Sequence, residues 1–151
     1  MHSIVIADTS CLIVFHKIGQ LNLLHQVYQP IITTPEVAKE FAEDLPKWIK
    51  IQSVKDKKYQ TFLSTQVDVG ESSALALAKE LDNPLLLLDD LKARKLAKKL
   101  NLNYTGTLGV LHKAKQLQLI DAIKPLINAL LSTDFRVSES LINELLELND
   151  E

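Results

Sequence analysis

The sequence predicts an α/β fold, namely a three-layer α/β/α domain built around a mainly parallel sheet. Two apolar runs of four residues, at 4–7 and 85–88, are bounded by polar residues, as in strands buried on both faces. Strand-like and helix-like segments alternate along the chain, which is typical of strand–helix–strand units. The 151 residues, 46% apolar and 24% charged, match the size and composition of one globular domain with a substantial core.

The first third of the chain contains two strands, each followed by helical segments. An apolar run that ends at Asp8 predicts the first strand. Thr34 followed by Pro35 predicts a helix start, because threonine caps helices and proline fits their first turn. The expected elements are a strand at 3–7, helices near 10–17 and 20–28, a strand at 30–33 and a helix from 34.

The middle third predicts an edge strand followed by two helices. Residues 49–54 alternate between apolar and polar, which favours an edge strand. Helices are expected near 56–66 and 70–82. The second of them is expected to begin at Asp68, and its inward face carries an apolar stripe at Ala74, Leu75, Ala78 and Leu81.

The last third begins with the strand at 85–88, which is expected to be the most buried. The elements expected after it are a helix at 90–100, a strand at 103–105, a helix from Thr107 to about 117 and helices at 121–132 and 138–148. The leucines of the last helix are numerous enough to pack either on their own domain or on a partner. We therefore divide the chain into a main domain, 1–132, and a helical extension, 133–151.

Composition excludes several classes of protein. Cys11 is the single cysteine, so neither a disulfide framework nor a cysteine-rich zinc site is possible, and we expect it to be a small buried residue. The four histidines lack the spacing of zinc hydrolases. No apolar stretch is long enough to cross a bilayer, and the N-terminus does not resemble a signal peptide, so we predict a cytoplasmic protein without a membrane partner. The net charge of −2 means that any polyanion must be held by a local basic patch or by a metal ion.

Acidic residues follow both of the buried strands. Asp8 ends the first strand, and Asp89 and Asp90 end the strand at 85–88. Parallel sheets bind ligands at the carboxyl ends of their strands, and crowded carboxylates repel one another unless a cation lies among them. Oxygen ligands without cysteine or clustered histidine favour Mg²⁺ or Mn²⁺. The alternative is that these acids cap the following helices, although Thr9 and Ser10 are also capable of capping the first one.

Two glutamates have both a functional and a structural interpretation. Glu40 falls at the border between the core face and the solvent face of its helix, where it could equally pair with Lys39 or Lys47. Glu71 lies three residues after Asp68, which is the spacing of a capping box.

Basic residues are concentrated on the helix that starts at Asp90: Lys92, Arg94, Lys95, Lys98 and Lys99. They form either a solvated face or a patch that contacts the phosphates of a nucleic acid. Arg94, one turn after Asp90, could pair with an acid or contact a phosphate. Thr107 is expected to be the N-cap of its helix, whose N-terminus could hold an anion, but a P-loop is excluded because its lysine and spacing are missing.

Taken in order, four motifs resemble the PIN-domain ribonuclease family. The matching segments are Ile6-Ala7-Asp8-Thr9-Ser10, Thr34-Pro35-Glu36-Val37-Ala38-Lys39-Glu40, Gly70-Glu71-Ser72-Ser73-Ala74-Leu75-Ala76, and Leu88-Asp89-Asp90 with Arg94 downstream. They indicate similarity to the VapC-like branch, the toxins of bacterial toxin–antitoxin pairs. Gly106-Thr107-Leu108-Gly109 is similar to a poorly characterised PIN subgroup.

The resemblance implies a Rossmann-like sheet and an endoribonuclease that depends on Mg²⁺ or Mn²⁺. It assigns catalysis and metal binding to Asp8, Glu40, Glu71 and Asp90, with Asp89 as the alternative metal ligand to Asp90. Thr9 and Ser10 would orient a metal ligand or a metal-bound water without binding the metal ion themselves. The residues expected to contact single-stranded or structured RNA are Lys92, Arg94, Lys95 and Thr107.

The same resemblance suggests an antitoxin protein as a partner and a homodimer as the assembly. Many relatives carry aspartate where this chain has Glu71, whose longer side chain would shift the metal or require a bridging water. The alternative function is therefore a non-catalytic PIN-like module for nucleic-acid binding or regulation, with a degenerate metal site.

Overall fold

The computed structural model describes His2 and residues 4–151. The strands among these residues form one sheet in which every pair is parallel, with the order β3-β2-β1-β4-β5. They are β1 (Ile4–Ala7), β2 (Ile31–Thr33), β3 (Ile49–Ile51), β4 (Pro84–Leu87) and β5 (Asn103–Thr105). The helices are α1 (Thr9–Lys17), α2 (Leu21–Val27), α3 (Pro35–Phe41), α4 (Lys57–Leu63), α5 (Val69–Glu80), α6 (Leu91–Lys99), α7 (Thr107–Gln116), α8 (Lys124–Leu131) and α9 (Glu139–Leu148).

The predicted fold class is confirmed, and the sheet is parallel throughout its described strands. The strand expected at 49–54 lies at an edge, as its alternation indicates, but only Ile49–Ile51 pair with β2. The buried strand expected at 85–88 runs from Pro84 to Leu87, one residue earlier at each end; proline is tolerated at the first position of a strand. Residue 3 of the first predicted strand lies outside the described residues.

Alternate side chains of the strands point into two separate cores. Val5 and Ala7 of β1 pack with Phe15 of α1, whereas Ile6 packs with Leu75 of α5. Helices α1, α2, α7 and α8 cover the first face, and α5 and α6 cover the second. Both faces of the sheet are therefore shielded from solvent. This explains why its central strands are continuous apolar runs and do not alternate between apolar and polar residues.

The strand order reverses between β1 and β4. From β1 the chain builds outward through β2 to β3, and it then returns to β4 on the other side of β1. Ala7 pairs with Leu87, so both strands end at the same level. Parallel sheets commonly bind ligands at such a reversal, and in this chain Asp8 and the Asp89–Asp90 pair follow the two strands that flank it.

The C-terminal helix α9 packs on its own domain through partly buried Ile142, Leu145 and Leu146. Beyond it, the Glu151 carboxylate accepts hydrogen bonds from the backbone N–H groups of Ile123 and Lys124 at the start of α8. None of the described helices combines the length and the apolar character that a membrane crossing requires.

We expect Glu151→Gln to lower the free energy of unfolding by about 1 kcal/mol, the usual effect of weakening a helix cap. Burial alone would raise the pKa of Glu151, but hydrogen bonds from Lys115, Ile123 and Lys124 outweigh it and lower the pKa to about 2. The stabilisation that the ionised Glu151 carboxylate gives the folded state is therefore complete above the ordinary pKa of 4.5. It is lost as the pH falls towards 2. Urea denaturation at pH 7 and pH 3 measures it, with the exposed neighbour Asp150→Asn as the control. An equal loss of stability in both variants would contradict the role of Glu151.

Candidate functional site

Asp8 is the most unusual residue at the carboxyl edge of the sheet. It follows β1 directly and occupies the N-cap position of α1, yet its side chain makes no capping hydrogen bond. The residue is 2% exposed, and its Oδ1 atom is buried without a hydrogen-bond partner among the described residues. A buried carboxylate oxygen with no partner is destabilising, so Asp8 is open to a ligand in a way that a capping aspartate is not.

Burial raises the pKa of Asp8 from 3.8 to about 7. The backbone N–H of Thr9 lowers the pKa in part, and the negative charges of Glu71, Asp68 and Glu40 raise it further. Asp8 therefore lies within electrostatic reach of three other carboxylates that come from distant parts of the sequence. A cation bound among them would favour the charged form of every one.

Glu40 is held next to α1 rather than free in solvent. The Thr9 hydroxyl donates a hydrogen bond to Glu40 Oε1 at 3.0 Å, and the described residues show no ion pair between Glu40 and Lys39 or Lys47. A Cβ atom on Gly70 would lie 1.9 Å from the same Oε1 atom. Gly70 thus allows the start of α5 to approach the Glu40 carboxylate closely.

The predicted capping box at the start of α5 is confirmed. Asp68 Oδ1 accepts a hydrogen bond from the Glu71 N–H at 2.8 Å, and Glu71 Oε1 accepts one from the Asp68 N–H at 3.1 Å. Burial raises the pKa of Glu71 to about 7; the backbone N–H of Asp68 lowers it, and the charges of Asp68 and Asp90 raise it. Because a carboxylate has two oxygens, the use of Oε1 in the cap is compatible with ligand binding through the other.

Asp90 and Asp89 have different partners after β4. Asp90 Oδ2 accepts a hydrogen bond from the Ala93 N–H at 2.9 Å, so Asp90, and not Asp89, is the N-cap of α6. Asp89 accepts bonds from both the N–H and the hydroxyl of Thr107, at 2.8 and 2.6 Å. Asp89 also lies 3.8 Å from Arg94 Nη2. Asp90 remains exposed to solvent, whereas both oxygens of Asp89 are engaged.

The expectation that Thr107 caps α7 is wrong. Gly106 is the N-cap and Thr107 is the first helical residue, because Asp89 reaches across from the end of β4 and satisfies the N–H group of Thr107. Thr107 is completely buried, so its side chain offers no surface to RNA in this structure. Cys11 beneath it is buried as expected, and burial raises the pKa of its thiol.

Arg94 turns towards the protein, unlike the lysines beside it on α6. Its Nε donates a hydrogen bond to the Leu88 carbonyl at 2.6 Å, and its guanidinium lies 5.2 Å from the centre of the Tyr104 ring. Lys92 and Lys95 are exposed on the same helix. Ser10 is also exposed, one residue beyond Thr9 at the start of α1.

The structure adds residues that the sequence motifs do not single out. Gly70 lies within a quoted motif, but only the distance to Glu40 reveals its role. Tyr104 and Arg136 line a cavity next to Asp89, and no local pattern marks either residue. They are identified only because the end of β5 and the segment before α9 line the same cavity.

The acids fit a hard divalent cation by their chemistry and by the unpartnered oxygen of Asp8. The charges of Glu71 and Glu40 raise the pKa of Asp8, and the charge of Asp90 raises the pKa of Glu71, but no three of the described histidine, cysteine, aspartate and glutamate residues are grouped tightly enough to hold an ion directly. The site is thus a set of neighbouring carboxylates that do not form a closed coordination shell.

A family model described as a PIN domain matches residues 4–151, which includes the C-terminal helix α9. No curated protein and no solved structure matches the chain.

We expect Asp8→Asn to stabilise the metal-free protein at neutral pH by roughly 2 kcal/mol, because it removes a buried charge. The folded-state pKa of about 7 exceeds the ordinary 3.8, so stability falls as the pH rises from about 4 to about 7. In the variant, the free energy of unfolding should fall less steeply with pH. The pH dependence that remains should come from Glu71. Urea denaturation in EDTA at pH 5 and pH 8 tests the expectation against the exposed control Asp44→Asn. A variant less stable than the parent protein at pH 8 would refute it.

Proposed function

Because the chain belongs to the PIN-domain family, whose members are usually nucleases that use divalent metal ions, we propose that it is a ribonuclease. In this proposal it hydrolyses RNA phosphodiester bonds with Mg²⁺ or Mn²⁺. The observation that supports it most strongly is the buried, unpartnered carboxylate oxygen of Asp8 at the reversal of the sheet. Without a cation this carboxyl group holds a proton in part at neutral pH, and a divalent ion would stabilise its charged form instead.

Asp8, Glu40, Glu71 and Asp90 are the proposed metal ligands. Thr9 is a positioning residue, because its hydroxyl bond fixes the Glu40 carboxylate. A divalent ion bound by these acids would lower the pKa of a water molecule and neutralise charge on the scissile phosphate. Asp8 and Glu71, with pKa values near 7, hold protons in part at neutral pH and must release them when an ion is bound.

Asp89 has a different role in this proposal from that of Asp90. Its two oxygens accept bonds from Thr107 and lie near Arg94, so it connects the end of β4 to the start of α7. We therefore propose Asp90 as the ligand and Asp89 as the residue that positions it. Ser10, exposed beside Thr9, would orient a ligand or water at the same edge.

Lys92 and Lys95 are the proposed contacts to the RNA backbone. Both are exposed on α6, within two turns of Asp90, where a cationic side chain can neutralise phosphates close to the acids. The Arg94 side chain is held against the Leu88 carbonyl and the Tyr104 ring. It would contact only RNA that comes up to this fixed position.

We extend the proposal to the toxin of a cytoplasmic toxin–antitoxin pair, working as a homodimer. The support is the resemblance of the ordered motifs and the exposure of Leu141 and Leu148 on α9, at 46% and 68%, which offers apolar surface to a second copy or to an antitoxin.

A second candidate function is a non-catalytic RNA-binding module. Two observations favour it: the described acids do not form a closed metal shell, and Glu71 is engaged in a helix cap. Isothermal titration calorimetry separates the candidates. A nuclease binds Mn²⁺ with a heat that disappears in Asp8→Asn, whereas a degenerate site gives no specific heat with either protein.

We expect Asp8→Asn to reduce Mn²⁺-dependent cleavage of single-stranded RNA by more than about 100-fold, since losses for residues outside the ligand set are about 10–100-fold. Cleavage of a fluorescent RNA, followed on denaturing gels, measures the effect. Asp44→Asn, which makes the same change at an exposed loop position, should cleave like the parent protein. Equal rates in Asp8→Asn and the parent would remove the nuclease proposal.

Glu71→Gln separates the metal role of Glu71 from its capping role. Glutamine can still accept the bond from the Asp68 N–H, so we expect the free energy of unfolding to stay within about 0.5 kcal/mol or to rise. Loss of the charge should nevertheless lower Mn²⁺-dependent cleavage by at least about 10-fold. If cleavage and stability both stay at the parent values, Glu71 is only a cap.

A further inference from the structure

A cavity of about 530 Å³ opens next to the acidic site. Its walls are formed by the start of α6, the end of β5, the start of α7 and the segment leading into α9. This volume lies within the range of sites that bind small molecules. Asp89 and Leu91 both line it, so Asp90 lies in the chain between two of its lining residues. An occupant of the cavity would therefore be a direct neighbour of a substrate held at the acids.

Two arginines are fixed in the walls of this cavity. Arg94 is held by the Leu88 carbonyl and by Asp89, and its guanidinium lies over the Tyr104 ring. The Arg136 Nη1 atom donates hydrogen bonds to the carbonyls of Thr133 and Phe135 at 2.8 and 2.9 Å. Because both side chains are anchored through the backbone, little conformational entropy is lost when they contact a ligand.

The charge and the surface of the cavity fit a nucleotide. Asp89 offsets only one of the two arginines, so the lining carries a net positive charge that suits a phosphate. The remaining lining is largely apolar and includes the rings of Tyr104 and Phe135 and the side chain of Leu141. Unpaired bases are recognised by stacking on aromatic rings and on guanidinium planes, and both kinds of surface are present here.

We propose that this cavity receives one unpaired nucleotide of the RNA substrate, next to the phosphate held at the acidic site. Its base lies against Phe135 and the Arg94–Tyr104 pair, and Arg136 contacts its phosphate. The inference rests on the proposed function, and it narrows the substrate to RNA that is single-stranded at the cleavage position. A base within a duplex would have to unpair before it could enter.

A protein partner is the less suitable occupant. An apolar side chain that filled the cavity would cover two guanidinium groups and only one carboxylate, which leaves buried positive charge without compensation. A nucleotide supplies both the flat apolar surface and the negative charge.

Arg136→Ala and Leu141→Trp test the proposal through RNA affinity. The first removes the anchored cation, and the second narrows the cavity at a residue that is 46% exposed and has room for a larger side chain. Binding of a fluorescent 12-nucleotide single-stranded RNA is measured by anisotropy in EDTA, so that cleavage cannot interfere. We expect each variant to bind about 10-fold or more weakly, because Arg136→Ala loses a charged contact to the phosphate and Leu141→Trp loses the stacking of the base. Lys58→Ala, on α4 after the opposite edge strand β3, removes an equal charge and should bind like the parent protein.

Photo-crosslinking locates the nucleotide directly. RNA that carries 5-iodouridine is irradiated with the parent protein in EDTA, and mass spectrometry identifies the modified peptide. We expect the modification at Tyr104 or Phe135 and its loss in Leu141→Trp. Circular dichroism of both variants verifies that they are folded. A blunt RNA duplex should bind equally well to the parent protein and to Arg136→Ala, because paired bases cannot occupy the cavity.

The outcomes distinguish this proposal from the nuclease proposal. RNA affinity that depends on Arg136 and Leu141, without any cleavage in Mn²⁺, would support the cavity and refute the nuclease. Cleavage by the parent protein, combined with unchanged affinity and crosslinking in both variants, would support the nuclease and overturn the nucleotide cavity. The latter result would leave the cavity to a protein partner.

Discussion

The organisation of the site depends on one constraint, the burial of the Asp8 carboxylate at the end of a central strand. Both faces of the sheet are covered by helices, so the residue that follows β1 enters a largely dry environment. An ionised group there needs a counter-charge or a full set of hydrogen bonds, and Asp8 Oδ1 has no partner among the described residues. The fold thus maintains a local instability that a bound cation would relieve, and the charges of Glu71, Asp68 and Glu40 act on the same carboxyl group.

Each of the surrounding acids, in contrast, has a structural partner that fixes it. Glu40 is bonded to Thr9, Glu71 belongs to the capping box with Asp68, and Asp90 caps α6. Helices α1, α5 and α6 all begin near this edge, and the positive ends of their dipoles favour negative charge there. The same local interactions that start the helices therefore bring Glu40 and Glu71 within electrostatic reach of Asp8, and Asp90 within electrostatic reach of Glu71.

The sequence was sufficient to predict the parallel sheet, the caps at Thr34 and Asp68, and a cap on α6 from either Asp89 or Asp90, because these features follow from local patterns. The sequence was insufficient where a side chain forms its hydrogen bonds with an element that is distant in the chain. Thr107 was expected to cap its own helix, but Asp89 does so from another strand end. The cavity next to Asp89 is lined in part by Arg136, which comes from the segment before α9 and belongs to no motif in the sequence.

Gly106 illustrates a consequence of such long-range packing. A Cβ atom at this position would come within 1.9 Å of Arg94 and 2.5 Å of Asp89, so a side chain would push apart the groups that join α6, β4 and α7. A sequence could thus retain every acidic residue and still lose the geometry that makes them useful. Surveys that infer activity in such proteins from an intact set of carboxylates should inspect this small residue as well.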